Sequence, residues 1–451
     1  MTKRILLVGA GRSSFSLINY LISLLRENNW QLCIGDLDVG FLSEKFGSVE
    51  NVQVISFDVF NQEQKNKEIT QSDLVISMLP AKFHIQVAEV CAEHGINMIT
   101  ASYVTDDIKA LDETFKAKGA ICVMEMGLDP GLDHMSAMKV LDRIKDKGYK
   151  LHAFETFTGG LLAPSTEDNP WQYKFTWNPR NVVLAGQGIV KFIQEGRFKY
   201  IPYHKVFRRT EVIHIPGHGY FEGYANRDSL KYVDSYELQD IQTLYRGTLR
   251  RPGFCKAWDI FIQLGATDDS FKMEKVDEMT HRQFINSFLY FNPHDSVELK
   301  LAHYLNIDME SEEMYKLKWL GLFDDELVGL KEGTPAQVLE HILKKKWTPR
   351  KDEKDMIVMW HKFDFKDGEQ AREIQSYMVV TGDNANDTAM AKTVGLPLGI
   401  GAKMILKGEF KLTGVQIPTK REIYKPVLKE LEAMGFEFSE REIDLMETAK
   451  G

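Results

Sequence analysis

Cysteine is scarce in this chain. Only four occur among 451 residues, Cys33, Cys91, Cys122 and Cys255. They lie far apart and form no CxxC pair, so neither a zinc site nor a redox pair of the usual spacing is available. Three of them fall inside apolar runs, which suits reduced, buried thiols in a cytoplasmic protein. Long hydrophobic runs are missing as well. No stretch approaches 18 uninterrupted apolar residues, so no membrane span is expected. The opening MTKRILLVGAG lacks the apolar core and small-residue cleavage site of a signal peptide. Nor is there an excess of positive charge: 56 Lys and Arg against 65 Asp and Glu leave a net charge of −9. A chain that acidic repels polyphosphate, so nucleic acid is not an expected partner. The densest basic cluster, Lys344-Lys345-Lys346 with Arg350 and Lys351, sits beside a helical stretch and reads as a solvated face. What is present is an ordinary globular mix, 43% hydrophobic, 27% charged and 11% aromatic, with length enough for about three domains.

The first 127 residues alternate short apolar runs with helical patterns. Arg4–Val8, Leu32–Gly35, Val52–Phe57, Leu74–Leu79, Ile96–Thr100 and Ile121–Met126 read as strands. Helices are expected at Phe15–Leu25, at Phe83–Glu93 and at Asp106–Lys118, the last capped by Thr105. Nearly all-apolar strands alternating with helices imply a parallel sheet covered on both faces. From about Leu151 to Ala266 the chain is rich in aromatics, Gly and Pro, with long loops, as in an α+β substrate domain. Thr267–Trp347 is charged and helical, a small all-α insert. Strand patterns return at Met356–His361 and Ser376–Thr381. A long helix follows from about Asp387, and Arg421–Glu432 is an amphipathic helix.

Gly9-Ala10-Gly11-Arg12-Ser13-Ser14 lies between a strand and a helix. Gly9 allows the tight turn, Gly11 lets the backbone approach a pyrophosphate, and the helix start offers unpaired N–H groups and partial positive charge. The third small position is Ser14 rather than Gly or Ala, which loosens helix–strand packing. Asp36, at the end of the second strand, stands about twenty residues beyond the motif, where a carboxylate accepts ribose hydroxyls and repels a 2′-phosphate. NAD is therefore the expected cofactor. Arg12 offers a phosphate partner that keeps NADP open.

Met126-Gly127-Leu128-Asp129-Pro130-Gly131-Leu132-Asp133-His134 is too unusual to pass as a generic turn. It occurs with Ala101-Ser102-Tyr103, Gly159-Gly160-Leu161, Asn226-Arg227-Asp228-Ser229 and Tyr245-Arg246-Gly247-Thr248-Leu249-Arg250. Glu353–Met359 and Ala389–Pro397 complete the set. Together these motifs closely resemble the saccharopine dehydrogenase family, in its glutamate-forming branch, over essentially the whole chain. The resemblance implies a reversible reaction. Glutamate and aminoadipate semialdehyde condense to an imine that a nicotinamide cofactor reduces to saccharopine. It also implies a variant Rossmann domain with a mixed α/β substrate and dimerisation domain and a small all-α insert. Residues 1–128 would then bind the dinucleotide and 129–266 and 351–390 the substrate. The insert would occupy 267–350, and 391–451 would return to the Rossmann domain. A cytoplasmic homodimer is expected, with a small-molecule substrate and no membrane.

By the same resemblance, cofactor contacts are expected from Gly9, Gly11, Arg12, Ser13, Ser14, Asp36, Asp58, Met78, Leu79, Pro80, Leu128 and Asp129. Substrate contacts are expected from Ser102, Tyr103, Asp129, Arg227, Arg246, Gly247 and Thr248. The chemistry agrees: saccharopine carries three carboxylates, which guanidinium groups grip bidentately. Arg250 lies close by in sequence. Asp129, held extended before Pro130, reads as the catalytic carboxylate, as an N-cap for the helix from Leu132, or as both. His134 and His84 read as packing or capping residues. Thr158 stands where the family usually has Cys, Ala225 and Leu162 where it usually has Pro. These changes touch loop geometry and substrate choice. His214 and His218 are separated by Pro216-Gly217, a loop rather than a helix, so no metal site is expected there. Two alternatives carry less: a related amine–aldehyde condensing enzyme of the carboxy-polyamine type, and a regulatory protein that binds NAD without turnover.

Overall fold

The computed structural model describes residues 2–11 and 14–445. The chain divides into two compact units, one formed by Met1–Tyr149 with Met378–Phe438, the other running from Lys150 to Tyr377 and resuming at Ser439.

The first unit is built on a seven-stranded sheet. Its strands are β1 (Lys3–Val8), β2 (Trp30–Asp36), β3 (Val52–Ser56), β4 (Leu74–Ser77), β5 (Asn97–Thr100) and β6 (Ile121–Val123), joined late in the chain by Gly414–Gln416. The order across the sheet is Gly414–Gln416, β6, β5, β4, β1, β2, β3, and all the pairings are parallel. Ile5, Leu6, Leu7 and Val8 in succession are 0% exposed, which explains why β1 is apolar without alternation: helices cover both sides. The expected doubly covered parallel sheet is what forms.

Two helices far apart in sequence seal one side. Phe15–Asn28 packs on Ala389–Lys407. A Cβ on Gly395 would lie 2.9 Å from Leu17 N, and one on Gly399 would lie 2.6 Å from the Tyr20 ring. Only glycine permits so close an approach, which is the packing reason for those two residues. Ala389–Lys407 is long and apolar enough to cross a bilayer, but 72% of that stretch is buried inside the protein. It is a core helix.

Two local expectations change. Asp106–Lys118 is two short helices, Asp106–Lys109 and Asp112–Ala117, and the Thr105 side chain caps neither. Its hydroxyl bonds the Asp107 carboxylate instead. The first unit also runs past residue 128 to take in helix Leu132–Asp146. Arg421 fastens that helix to Arg421–Ala433 through Asp142 and Asp146, each at 2.7 Å.

The second unit carries a nine-stranded mixed sheet. Its strands are β7 (Lys150–Leu162), β8 (Val190–Gln194), β9 (Arg197–Ile201), β10 (Thr210–Ile215), β11 (Gly219–Ala225), β12 (Thr243–Arg250), β13 (Asp355–Asp367), β14 (Gln370–Thr381) and a last strand at Ser439–Asp444. β12 and β7 run parallel at its centre, while β13 lies antiparallel to β7 along most of its length. Between β12 and β13 comes the helical insert. Four of its helices begin at Thr280, Ser296, Ser311 and Thr334, each of whose hydroxyls accepts a backbone N–H. Such a cap contributes about 1 kcal/mol. The four cysteines are buried and free.

Candidate active site

Parallel sheets present ligands at the carboxyl ends of their strands, and in the first unit six loops of interest leave from that edge. After β1, Gly9 takes φ +85° and its N–H donates to Gly35 O at 2.9 Å. A Cβ on Gly9 would sit 2.8 Å from Leu79 N and Met78 C, so the Met78-Leu79 segment after β4 lies hard against the glycine loop. At Gly11 a Cβ would meet nothing within 4 Å. The backbone there is open, as a phosphate cradle requires. Ser14 does more than fill the third position. It is 2% exposed, and its N–H and hydroxyl both bond Gly11 O, at 3.0 and 2.7 Å. Arg12 and Ser13 lie outside the described residues.

Asp36 differs from the simple expectation. Its Oδ2 accepts from Ala10 N at 2.7 Å, inside the glycine loop, and its Oδ1 from Asp38 N at 3.1 Å. The carboxylate thus anchors the loop and offers both oxygens to backbone. Asp58 is similarly engaged, with its Oδ1 accepting from Phe60 N at 2.9 Å. Pro80 opens the short turn of helix Ala81–Phe83.

The ends of β4 and β5 are joined by a polar chain. His84 bonds Ser77 Oγ through Nδ1 at 2.8 Å and Ser102 Oγ through Nε2 at 2.6 Å. Burial pushes its pKa down from 6.5 to about 4, so the ring is neutral near pH 7 and couples two hydroxyls. The sequence reading left His84 as a packing residue and missed this link. The available signal was two serines at the ends of neighbouring strands with a histidine in the helix between.

Tyr103 donates its hydroxyl to Asp129 Oδ1 at 3.1 Å, bringing two of the expected substrate residues together. Asp129 is not the cap of the following helix. Gly131 holds that position, and its N–H bonds Asp133 Oδ1 at 2.7 Å. Leu128, one residue earlier, is buried at 6% exposure. His134 is 0% exposed and meets Glu125 Oε2 at 2.8 Å, while Glu125 Oε1 accepts from Val104 N at 3.0 Å. The histidine packs, as expected, but within hydrogen-bond distance of Glu125, which the sequence did not reveal.

In the second unit, Arg246, Gly247 and Thr248 lie on β12, paired with Thr156, Phe157 and Thr158 of β7. Arg246 is 5% exposed and stacks its guanidinium 4.3 Å above the Tyr232 ring. Its backbone N–H donates to Ser229 Oγ and its carbonyl accepts from Asn226 N. This is how the Asn226–Ser229 motif comes to lie beside β12. Asn226 Nδ2 also donates to Thr248 Oγ1 at 3.0 Å. Arg227 is exposed, with φ +49° and its carbonyl bonded to Lys191 N at 3.0 Å. Gly247 has no room for a side chain, since a Cβ would lie 2.3 Å from the Phe157 ring. Thr158 Oγ1 is buried without a partner. His214 ends up in β10 and His218 in the turn after it, and no metal-binding cluster occurs among the described residues.

Comparison with known proteins agrees with this architecture. The family model described as saccharopine dehydrogenase C-terminal domain matches residues 127–436, and that of the saccharopine dehydrogenase NADP binding domain matches residues 5–123. The chain belongs to the saccharopine dehydrogenase family. The alpha-aminoadipic semialdehyde synthase, mitochondrial, of Rattus norvegicus is 34% identical over 97% of this chain. The chain spans about half of that relative, 47% of its length. The saccharopine dehydrogenase [NADP(+), L-glutamate-forming] of Schizosaccharomyces pombe is 29% identical, covering 98% of this chain and 99% of its own. Among solved structures, the apo saccharopine dehydrogenase (L-Glu forming) of Saccharomyces cerevisiae superposes with a TM-score of 0.86 at 27% identity, over 98% of this chain and 100% of that one. The NADP in the matched domain and in the fungal name runs against the NAD expectation drawn from Asp36. In the structure the Asp36 carboxylate accepts from Ala10 N and Asp38 N, a use of its oxygens that the spacing rule does not register.

Proposed function

We propose that the chain is an L-glutamate-forming saccharopine dehydrogenase that works with NADP. The observation that carries this reading is a single edge of one sheet. There the glycine cradle at Gly9–Gly11 shares a unit with the bonded pair Tyr103–Asp129 and the Ser77–His84–Ser102 chain. The full-length likeness to a fungal relative named for this reaction supports it. The open backbone at Gly11 and the helix start behind Ser14 fit a dinucleotide phosphate. NADP, when bound, supplies the hydride acceptor. The rest of the chemistry falls to the chain's own side chains.

Oxidation of saccharopine takes hydride from the carbon beside its secondary amine, leaves an imine, and ends in hydrolysis to glutamate and the semialdehyde. Positive charge develops at nitrogen as hydride leaves. A carboxylate held in a fixed position stabilises that charge without reorganising. Asp129 has that character, with the Tyr103 hydroxyl fixing one of its oxygens. Arg227 and Arg246 are assigned to substrate carboxylates, and Gly247 and Thr248 to flanking donors. Arg246 is suited to the task, since its stacking on Tyr232 limits the freedom lost on binding an anion. On this reading the first unit binds the cofactor and the second recognises the substrate, with a homodimer as the working assembly and the cytoplasm as its compartment.

The test is a steady-state assay of purified protein with saccharopine and either NADP or NAD, together with light scattering for the assembly. Turnover with release of glutamate is expected, faster with NADP. No glutamate from saccharopine with either cofactor sinks the assignment.

A further inference from the structure

Ser77 ends β4 and Ser102 follows β5, and His84, the first residue of helix His84–His94, bonds both hydroxyls. Ser77 is 0% exposed and His84 1%, while Ser102 is half-buried at the sheet edge. The backbone of Ser102 is already in use. Its N–H donates to Thr100 Oγ1 at 3.3 Å and its carbonyl accepts from Glu125 N at 3.0 Å. Only its hydroxyl remains for a ligand.

A neutral imidazole has one N–H and one bare nitrogen, and the bond made on one side fixes the role of the other. Burial keeps this ring neutral near pH 7. Two polarities are then open to the chain. In one, Nδ1–H donates to Ser77 Oγ. The Ser77 hydrogen is then sealed in the interior without an acceptor, because His84 is the sole side-chain partner of Ser77 among the described residues. In the other, Ser77 donates to Nδ1 and Nε2–H donates to Ser102 Oγ, so each buried hydrogen of the chain has an acceptor. An unmatched buried donor is costly, and the second polarity wins. The Ser102 oxygen then accepts from the ring, and its own hydrogen is left for an acceptor elsewhere. Ser77 is a closed end, with no further group in the chain to take a proton. The chain orients a hydroxyl; it does not conduct.

We propose that His84 is a positioning residue, whose Nε2–H holds the Ser102 hydroxyl as a donor to a carboxylate of the substrate. This assignment rests on the saccharopine dehydrogenase reading and adds His84 and Ser77 to it. Ser102 directly precedes Tyr103, whose hydroxyl fixes Asp129. Saccharopine carries one carboxylate on the carbon bonded to its secondary nitrogen, so a substrate amine beside Asp129 brings a carboxylate into the same neighbourhood. A hydroxyl whose direction is set before binding donates to that carboxylate without first being ordered.

The experiment reads the tautomer and its consequence separately. Two-bond proton–nitrogen spectra of the imidazoles at pH 7.5, with the His84 signal identified by its loss in His84→Leu, should show Nε2 protonated and Nδ1 bare. In steady-state assays His84→Leu should raise KM for saccharopine about tenfold, with KM for NADP within about twofold of wild type. His84→Gln, whose amide offers one acceptor and one donor, should restore most of the loss. Ser102→Ala should match His84→Leu, and the double variant should be no worse than either alone, because one interaction cannot be lost twice. Ser77→Ala is the sharpest variant. Ser77 is sealed from any ligand, so a rise in KM for saccharopine of about threefold there can pass only through the ring. An Nδ1–H tautomer, wild-type KM in Ser77→Ala, or additive losses in the double variant overturns the assignment. If His84→Leu does not fold, His84→Gln identifies the signal, and Ser77→Ala and the spectrum decide. A wild-type protein that does not oxidise saccharopine overturns the dehydrogenase reading and the ligand named here with it, whereas an Nδ1–H tautomer in an active enzyme overturns the role of His84 alone.

Discussion

The Tyr103 hydroxyl donates to Asp129 Oδ1 at 3.1 Å, although the two residues leave different strands of the parallel sheet. A carboxylate serving as a helix cap would bond N–H groups of the first turn, and here Gly131 occupies the cap and Asp133 bonds its N–H.

Asp129→Asn should therefore lower kcat by roughly ten- to a thousandfold, with cofactor affinity and thermal midpoint close to wild type. Tyr103→Phe should reproduce a smaller part of the loss. His134→Gln should behave differently, because His134 is sealed against Glu125 at 2.8 Å. Leaving a buried hydrogen-bonding group without its partner costs about 1–3 kcal/mol, so its main effect should be a lower denaturation midpoint. A fully stable but inactive His134→Gln protein would transfer the catalytic role to the histidine.

The cofactor prediction turns on Asp36. Because its oxygens hold Ala10 N and Asp38 N, Asp36→Ala should loosen the glycine loop and raise KM for NADP and NAD together. A hydrogen bond to a charged group contributes about 1.5–3 kcal/mol, which corresponds to roughly tenfold or more in KM. Initial rates with both cofactors check this. A wild-type preference for NAD that Asp36→Ser converts to NADP would restore the simpler reading of Asp36 as a ribose ligand.

Those outcomes bear on what the sequence could and could not reveal. The parallel sheet was legible because runs such as Ile5–Val8 are apolar on both faces, and periodicity reports burial directly. The glycine loop was legible because Gly9 meets a backbone constraint that other residues fail. The commitment of Asp36 was not legible. Its partner is a main-chain N–H 26 positions away, and no side-chain identity signals a backbone bond. The same holds for His84, where the meaning lies in Ser77 and Ser102 meeting across adjacent strands. The split of Asp106–Lys118 into two helices also escaped a pattern reading, since both halves keep the apolar spacing of a continuous helix.

Gly9 gives a sharper structural test. Gly9→Ala forces a residue with a side chain to φ +85° and places its Cβ 2.8 Å from the backbone at Met78 and Leu79. The conformational strain alone is about 1–3 kcal/mol, and the clash is with main chain that has no rotamer to escape into. Loss of cofactor binding by fluorescence titration is expected, with a lower thermal midpoint. Gly11→Ala, where a Cβ meets nothing within 4 Å, should fold normally and weaken cofactor binding only. Wild-type cofactor affinity in Gly11→Ala would remove that residue from the cradle.

The last prediction concerns acid stability. His84 is neutral in the folded protein, with burial holding its pKa at about 4 against 6.5 for an unburied ring. Between those values the unfolded chain binds the proton and the folded chain does not, so stability rises with pH across the window. The contribution is fully present above pH 6.5 and is lost as pH falls toward 4. At 1.36 kcal/mol per pKa unit it amounts to about 3 kcal/mol. Urea unfolding midpoints taken from pH 7.5 down to 4.5 should fall accordingly, and His84→Asn should flatten that part of the slope. The variant should be less stable at pH 7.5, where its shorter side chain cannot span from Ser77 to Ser102. A slope unchanged by His84→Asn would mean that the acid sensitivity arises elsewhere, and that the His84 ring is protonated or solvated within the fold.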